Sequence, residues 1–484
     1  MKRLVLGVVA LGGALLVVAA AAAVAGEKGG DGIKEHARLG VLAETQYDGG
    51  IKAGSASNME AIAHVDLAAR GYNADVWVHE GYAYVGQWGF GDWAPGNSRF
   101  CPDDPATRGV AIVDAREPAD ATWISRLVQP ANTSIEDVVV YTARYGPYAG
   151  RDIAVGGLQY CGARHDIAAE RGLMLWDVTR PETPVRIGYL KTACCTRGVH
   201  ELEVQHRSDL GRTFAYASVP TSRYADPATL TGVRDVNGDG DFRLFDLTDP
   251  TAPAQVSEWA IHDAGGPFQG YGCDPDGNYG HSAEPSADGK LVFLSYWDSG
   301  FVALDVTNPA SPVYRGRTVY EANEDGDAHS AQYDEARKLL FSADEDFCNT
   351  SGSSTEKGYG YLRVWDYSKP SAPKQIGEYK TPNTPGGNDQ GAGDYTIHNN
   401  YLVGTTLFTS WYSDGVRMID VSNPRAPREV GFFVPPATTN PVKPSQRGVL
   451  TNTTQVWGVV VDEATGLVYA SDMNSGLWIL RRTG

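Results

Sequence analysis

One pattern returns along almost the whole chain and restricts its fold more than any other feature. It consists of Gly, four apolar-biased residues, Asp, an apolar residue, a small polar residue, any residue and Pro. Clear copies are Gly172–Pro181, Gly300–Pro309 and Gly415–Pro424, with Gly360–Pro370 longer by one residue. Weaker copies run Gly109–Pro118 and Asp241–Pro250. The anchoring aspartates Asp114, Asp177, Asp246, Asp305, Asp366 and Asp420 are separated by 63, 69, 59, 61 and 54 residues. A seventh copy, Gly476–Leu480, follows one period later. Self-similarity at this period is the mark of a repeat architecture.

Each copy can be read physically. Its apolar run is too short for a helix and nearly continuous, which predicts a strand covered on both faces. The aspartate can accept hydrogen bonds from the following turn, and the proline lacks the N–H that would continue the strand. A second proline follows in most copies (Pro184, Pro253, Pro312, Pro373, Pro427), and another strand then begins, as in Val185–Tyr189 and Lys374–Tyr379. Two strand-like runs precede each copy, the nearer exemplified by Tyr82–Gly86, Thr213–Ala217 and Leu291–Ser295.

Four strands per period predict an all-β chain, a seven-bladed β-propeller of four-stranded blades. The seventh copy has no fourth strand after it, so an N-terminal strand is expected to close the last blade and remove its exposed edge. Ala37–Leu42 and Asn58–His64 both qualify; the second lies next to blade 1 and is preferred. The 56 glycines, 25 tyrosines and 11 tryptophans suit such a fold.

These copies resemble the LVIVD repeat, which Val110–Asp114 nearly spells out, and the resemblance runs over nearly all of the chain beyond the leader. It implies a secreted, propeller-like protein of bacterial or archaeal type. The family has no single activity, so the resemblance transfers no catalytic residues.

The N-terminus agrees with export. Lys2 and Arg3 precede an uncharged run from Leu4 to Ala25 that ends in small residues, which predicts a cleavable signal peptide over 1–25. An uncleaved anchor is the rival reading, but no basic stop-transfer cluster follows. Residues 26–57 are expected to form a partly flexible N-terminal segment and 58–484 the propeller. Cleavage would take the formal charge from −18 to −20. A surface that acidic repels nucleic acid and anionic membrane, so the expectation is a secreted protein with neither nucleic acid nor an inserted membrane segment as partner.

All six cysteines fall in loops of one propeller face. Cys101, Cys161 and Cys348 lie between second and third strands, and Cys194, Cys195 and Cys273 between fourth and first strands. An even count in an exported chain favours disulfides. Cys101–Cys161 is the expected pairing, since the two occupy equivalent loops of neighbouring blades; the other connectivities stay open.

Two groups of residues point to cations. Asp235, Asn237, Asp239 and Asp241 alternate, with Gly240 in the sixth position, which is the spacing of a calcium loop. An ordinary Asn-Gly or Asp-Gly turn is the alternative, and Asp246, twelfth in that loop, is committed to its own turn. His200, His281 and His329 each open the first strand of blades 3, 4 and 5, where they would rim the central channel. Three imidazoles, completed by Glu201 or a loop aspartate, could bind a transition metal. The leading expectation is plainer: histidines that hydrogen-bond the neighbouring blade.

No nucleophile elbow, phosphate-binding glycine loop, Cys-x-x-Cys pair or His-Glu-x-x-His motif is present. The expected function is therefore a secreted, non-catalytic binding or scaffold protein with a cation-binding, loop-rich face. A protein or glycan partner would engage the insertions 88–108, 157–171, 219–240 and 344–359, with Trp88, Trp93, Tyr160 and Tyr224 as contacts. The alternative is a metal-dependent, oxidoreductase-like enzyme using His200, His281 and His329.

Overall fold

The computed structural model describes residues 54–484, apart from 68–69, 91–99, 163–167, 193–195, 221–239, 267–278, 322–323, 325, 348–357, 386–392 and 441–451. The described chain is all-β, interrupted by short 3-10 turns at Pro118–Asp120 and Ile261–Ala264. None of the described helices is long and apolar enough to cross a membrane.

Each sequence repeat forms a four-stranded antiparallel meander. In repeat 2 the strands are Thr133–Thr142, Asp152–Tyr160, Gly172–Asp177 and Val185–Lys191, paired in that order. Repeats 3, 4 and 5 are separate four-stranded sheets. Repeats 1 and 2 share one eight-stranded sheet, joined through the single pair Gln87–Ile135. In repeat 6 the short strand Ala56–Ser57 pairs along the fourth strand, Arg428–Phe433.

The third strands justify the reading of the apolar run. In Gly172–Asp177, Leu173 and Leu175 pack toward repeat 3 with Ala215, Ala217 and Phe245, whereas Met174 and Trp176 pack toward repeat 1 with Tyr84 and Ile112. Apolar area is thus buried on both faces, at roughly 25 cal/mol per Å². The core is distributed between neighbouring sheets, including one cluster in which Tyr469, Leu477 and Ile479 of repeat 7 meet Val85, Ala111 and Val113 of repeat 1.

The turn chemistry holds in the four clear copies and in the two weaker ones. Asp114, Asp177, Asp246, Asp305, Asp366 and Asp420 each accept the N–H two residues on through Oδ1, at 2.8–3.2 Å. The N-terminal strand Met59–Asp66 pairs with Gly476–Arg482, so the second candidate, Asn58–His64, supplies the fourth strand of repeat 7. The rival Ala37–Leu42 lies outside the described residues, as does the leader.

The first strands touch in order from repeat 1 to repeat 7, and that of repeat 7, Val456–Asp462, lies against that of repeat 1, Tyr72–His79. A small set of contacts fixes this approach. Gly86 must be a glycine, because a Cβ there would collide with the Glu136 carbonyl of repeat 2. Bridges of the same kind join Gln159 to Gly198, Trp297 to Ala328 and Tyr412 to Val456.

Cys101 and Cys161 form a disulfide between repeats 1 and 2, with Cα atoms 5.4 Å apart at a sequence separation of 60. Two predictions concern these closures. Removing residues 54–66 should lower the melting temperature and promote self-association by exposing the edge of Gly476–Arg482. A monomer of unchanged melting temperature, by circular dichroism and light scattering, would count against that role. Replacing both Cys101 and Cys161 by serine should cost about 2–4 kcal/mol in denaturant unfolding.

Candidate functional site

The first strands start at one end of the molecule, and their first residues converge there. His200 and His281 sit just before Leu202–Arg207 and Ser282–Pro285, and His329 lies within Ala328–Asp334. A fourth histidine, His398, precedes Asn400–Val403 in repeat 6 and was missed in the sequence. It lacks the Ser-Ala that follows His281 and His329, so only its period could have exposed it. At the same register, repeat 7 carries Trp457 and repeat 2 carries Glu136.

A backbone irregularity turns these side chains inward. The pairing between first and second strands slips between Ala328 and Ser330, between Val456 and Gly458, and between Ile135 and Val138. Such bulges re-aim a side chain out of the regular pleat, here at His329, Trp457 and Glu136. Two bulky residues lining this end, Trp297 and Tyr412, hold φ of 27° and 37°. Backbone of this kind is costly for non-glycine residues and gathers at functional sites.

The four imidazoles form a buried arc. Ring centroids are 4.2 Å apart for His200–His281, 4.0 Å for His281–His329 and 4.0 Å for His329–His398. His200 Nε2 lies 2.7 Å from His281 Nε2. Carboxylates flank the arc: Glu201 Oε1 is 3.4 Å from His281 Nδ1 and 3.8 Å from His329 Nε2. Glu345 lies 3.6 Å from His329 Nε2 and 3.8 Å from His398 Nε2, and it accepts a hydrogen bond from the Tyr412 hydroxyl.

Outer partners fix the rings. His200 Nδ1 donates to Glu136 Oε2 at 2.9 Å, and Gln159 Nε2 donates to the same oxygen at 2.8 Å. His398 Nδ1 donates to the Trp457 carbonyl at 2.8 Å. In both residues the proton is held on Nδ1, which leaves the Nε2 lone pair facing the arc. A carboxylate or carbonyl behind a histidine is the usual support of a metal ligand.

Electrostatics favour neutral imidazole at the centre. Burial, then the neighbouring His329 and His200, push the pKa of His281 well below the usual range. Burial raises the Glu136 carboxyl, but the neighbouring His200, which hydrogen-bonds it, and Arg197 outweigh that and the net shift is downward. Two sets of three groups bring ligand atoms within 4.8 Å of one another: His200, Glu201 and His281, and His281, His329 and Glu345. A third set, His79, Glu80 and Asp152, is partly exposed at the far end of the strands and contains an ordinary His79–Asp152 pair at 3.0 Å.

Beyond the arc, the first strands enclose a central cavity of about 300 Å³. Asp75, Asp137, Glu201, Glu203 and Glu284 line it, together with Trp77 and Tyr401. Burial comes first and like charge second in raising these carboxyls. Asp137 reaches about 7, burial and then Asp137 carry Glu203 to about 8, and Asp75, Glu201 and Glu284 lie well above the usual range.

Other predicted residues fall elsewhere. Asp235, Asn237 and Asp239 lie outside the described residues, as do Cys194, Cys195, Cys273, Cys348, Trp93 and Tyr224. Asp241 is buried and accepts the Tyr296 hydroxyl at 2.6 Å, a contact to repeat 4. Asp246 holds its own turn, as expected. Trp88 is buried against Tyr72, Phe90 and Trp457 and covers repeat ends; Tyr160 lies under the Arg171 guanidinium.

The raised carboxyls make a pH prediction. Glu203 keeps its proton in the folded chain up to about 8, whereas an ordinary glutamate loses it near ~4.3. Its contribution is therefore intact at acid pH and lost as pH rises through that window. Glu203→Gln should match the parent melting temperature at about pH 4 and exceed it increasingly toward about pH 8. His281 works in the opposite sense, destabilising below ~6.5, but it is common to both proteins and cancels in the comparison.

Comparison with known families matches the LVIVD repeat at residues 70–91 and 280–318. These segments are the start of repeat 1 and almost all of repeat 4; Val110–Asp114, the closest spelling, is not among them. No curated protein matches. Among solved structures the chain is similar to the computationally designed Ika8 protein, at 6% identity and a TM-score of 0.45, over 86% of this chain and 98% of that one. That likeness is too loose to bear on the fold. The repeat and the disulfide together suggest an extracellular location. The LVIVD-repeat match thus falls on two of the recurring four-stranded meanders, and the chain is similar to that repeat over those segments.

Proposed function

We propose that the seven repeats close into a seven-bladed propeller and that the exported chain uses its histidine arc to hold a transition-metal ion. Support for the ring comes from the contact between the first strands of repeats 7 and 1 and from the shared core beneath them. Export is supported by the leader sequence and by the disulfide.

One observation carries the metal reading: ligand atoms of His281, His329 and Glu345, all buried, lie within 4.8 Å of one another. An ion with tetrahedral bonds of about 2.0–2.1 Å to nitrogen sets its ligands about 3.3 Å apart. Small movements would bring His200 Nε2 and His281 Nε2, now 2.7 Å apart, to that spacing. Imidazole with carboxylate suits zinc, copper, iron or nickel. The structural alternative accounts for the ends of the arc, where His200 and His398 bond neighbouring repeats. It gives His281 Nε2 a partner in His200 but leaves its buried Nδ1, 3.4 Å from Glu201 Oε1, without a hydrogen bond.

The first role is binding without catalysis, with a protein or glycan partner at the loop-rich face and calcium at Asp235–Asp241. A metal-dependent, oxidoreductase-like enzyme is the second reading. It is favoured by Glu201, a carboxylate that reaches His281 and also lines the cavity. A bound ion would supply Lewis-acid or redox chemistry there, and Glu201 could hold or release a proton at its Oε1.

Purified protein exposed to zinc or copper and then desalted should retain stoichiometric metal by mass spectrometry. His281→Ala and His329→Ala should each lose it and melt at the same temperature with or without chelator. Parent protein that retains no metal, or variants that retain it fully, would sink the reading.

A further inference from the structure

The cavity beyond the histidines is a strongly acidic space, which His281 and His329 approach only at Glu201. Six carboxylate residues line it, counting Glu463, and no Lys, Arg or His is among the lining residues. Buried charges are normally paired, because leaving water uncompensated is expensive. Hydrogen bonds from the chain satisfy part of this set. Asn399 Nδ2 donates to Asp75 Oδ1 at 2.6 Å and the Leu202 amide donates to Asp137 Oδ2 at 2.7 Å. Two oxygens are incompletely satisfied: Asp75 Oδ2, beside the Trp457 ring, and Glu201 Oε1, 3.4 Å from His281 Nδ1, make no hydrogen bond of ordinary geometry, in residues only 7% and 8% exposed.

Strand register places the carboxylates in two tiers. Asp75, Asp137 and Glu201 stand at equivalent positions of repeats 1, 2 and 3, one residue past the bulged position. Glu203 and Glu284 stand two residues further along the first strands of repeats 3 and 4. Residues two apart share a face and are separated by about 7 Å along a strand. A single bare ion does not match this arrangement. Among the described residues, the sets of three groups that could jointly ligate a metal include none of Asp75, Asp137, Glu203 and Glu284. What fits is a cation with two charged donors held apart. Two ammonium groups joined by four carbons are about 6 Å apart when extended, from five bonds of roughly 1.5 Å. Trp77 and Tyr401 would flank the methylenes between them.

We propose that the central cavity binds a small organic dication, a short α,ω-diamine, with one ammonium at Asp75, Asp137 and Glu201 and the other at Glu203 and Glu284. Each ammonium has three N–H donors and no acceptor, which complements carboxylates that lack donors of their own. The cavity volume of about 300 Å³ is at the lower end for small-ligand sites. This inference does not rest on the histidine arc holding metal.

Isothermal titration of the purified full chain with 1,4-diaminobutane tests it, with butylamine and calcium chloride as separate titrants. Diaminobutane should bind saturably, butylamine at least tenfold more weakly, and calcium should not compete at equal concentration. The double variant Glu203→Gln with Glu284→Gln should bind diaminobutane at least tenfold more weakly. Its melting temperature should equal or exceed the parent's, which keeps misfolding apart from lost binding. His329→Ala, which tests the metal reading, should leave diamine affinity unchanged. The proposal is overturned by absence of saturable diamine heat, by equal affinity in the double variant, or by calcium displacing the diamine. Loss of diamine binding in His329→Ala with retention in the double variant would overturn it as well.

Discussion

Everything in this molecule depends on apolar burial between neighbouring sheets. No sheet has a core of its own: Leu173 and Leu175 serve one interface, and Met174 and Trp176 on the same strand serve the next. A strand sandwiched in this way is buried on both faces, and the arginines that interrupt the apolar run in repeats 3, 5 and 6 (Arg243, Arg363 and Arg417) are themselves buried. The same constraint makes the ends of the array expensive. An uncovered face on repeat 7 would expose Tyr469 and Ile479, which instead pack on Val85 and Val113 of repeat 1.

Sheet-on-sheet packing also creates the site. When successive meanders lie close, the end of one second strand reaches the start of the next first strand, as in Gln159–Gly198 and Trp297–Ala328. These bridges use backbone that would otherwise continue the regular pairing, and the ladder slips by a residue beside them. The displaced side chains have one direction left to take, toward the middle. Histidine is suited to such a position: it can donate backward to a carboxylate or carbonyl and still present a lone pair forward. Glu136 and the Trp457 carbonyl provide that anchoring at the two ends of the arc.

Local features of the chain were legible and lateral ones were not. The turn aspartates announce themselves because their bonds span two residues, and the closing strand because a missing fourth strand is a matter of counting. The Cys101–Cys161 bridge followed from equivalent loops. His398 escaped because its flanking residues differ from those of His281 and His329. Glu136, Gln159 and Glu345 could not be singled out, since their role comes from a neighbouring repeat. The cavity carboxylates were hidden for another reason. In a chain with 59 acidic residues, only register shows that Glu203 and Glu284 share a tier, and the bulges alter that register at the positions that matter.

Glu201 is where the two halves of the interior meet. It follows His200 in sequence, approaches His281 and His329, and contributes its carboxyl to the cavity. Burial first and the charges of Asp75 and Asp137 next raise its pKa well above the ordinary range. A positive charge at the histidines or in the cavity would lower it again, because either stabilises the carboxylate. The acidic cavity and the imidazole arc therefore meet at a carboxylate that a cation held on either side would stabilise.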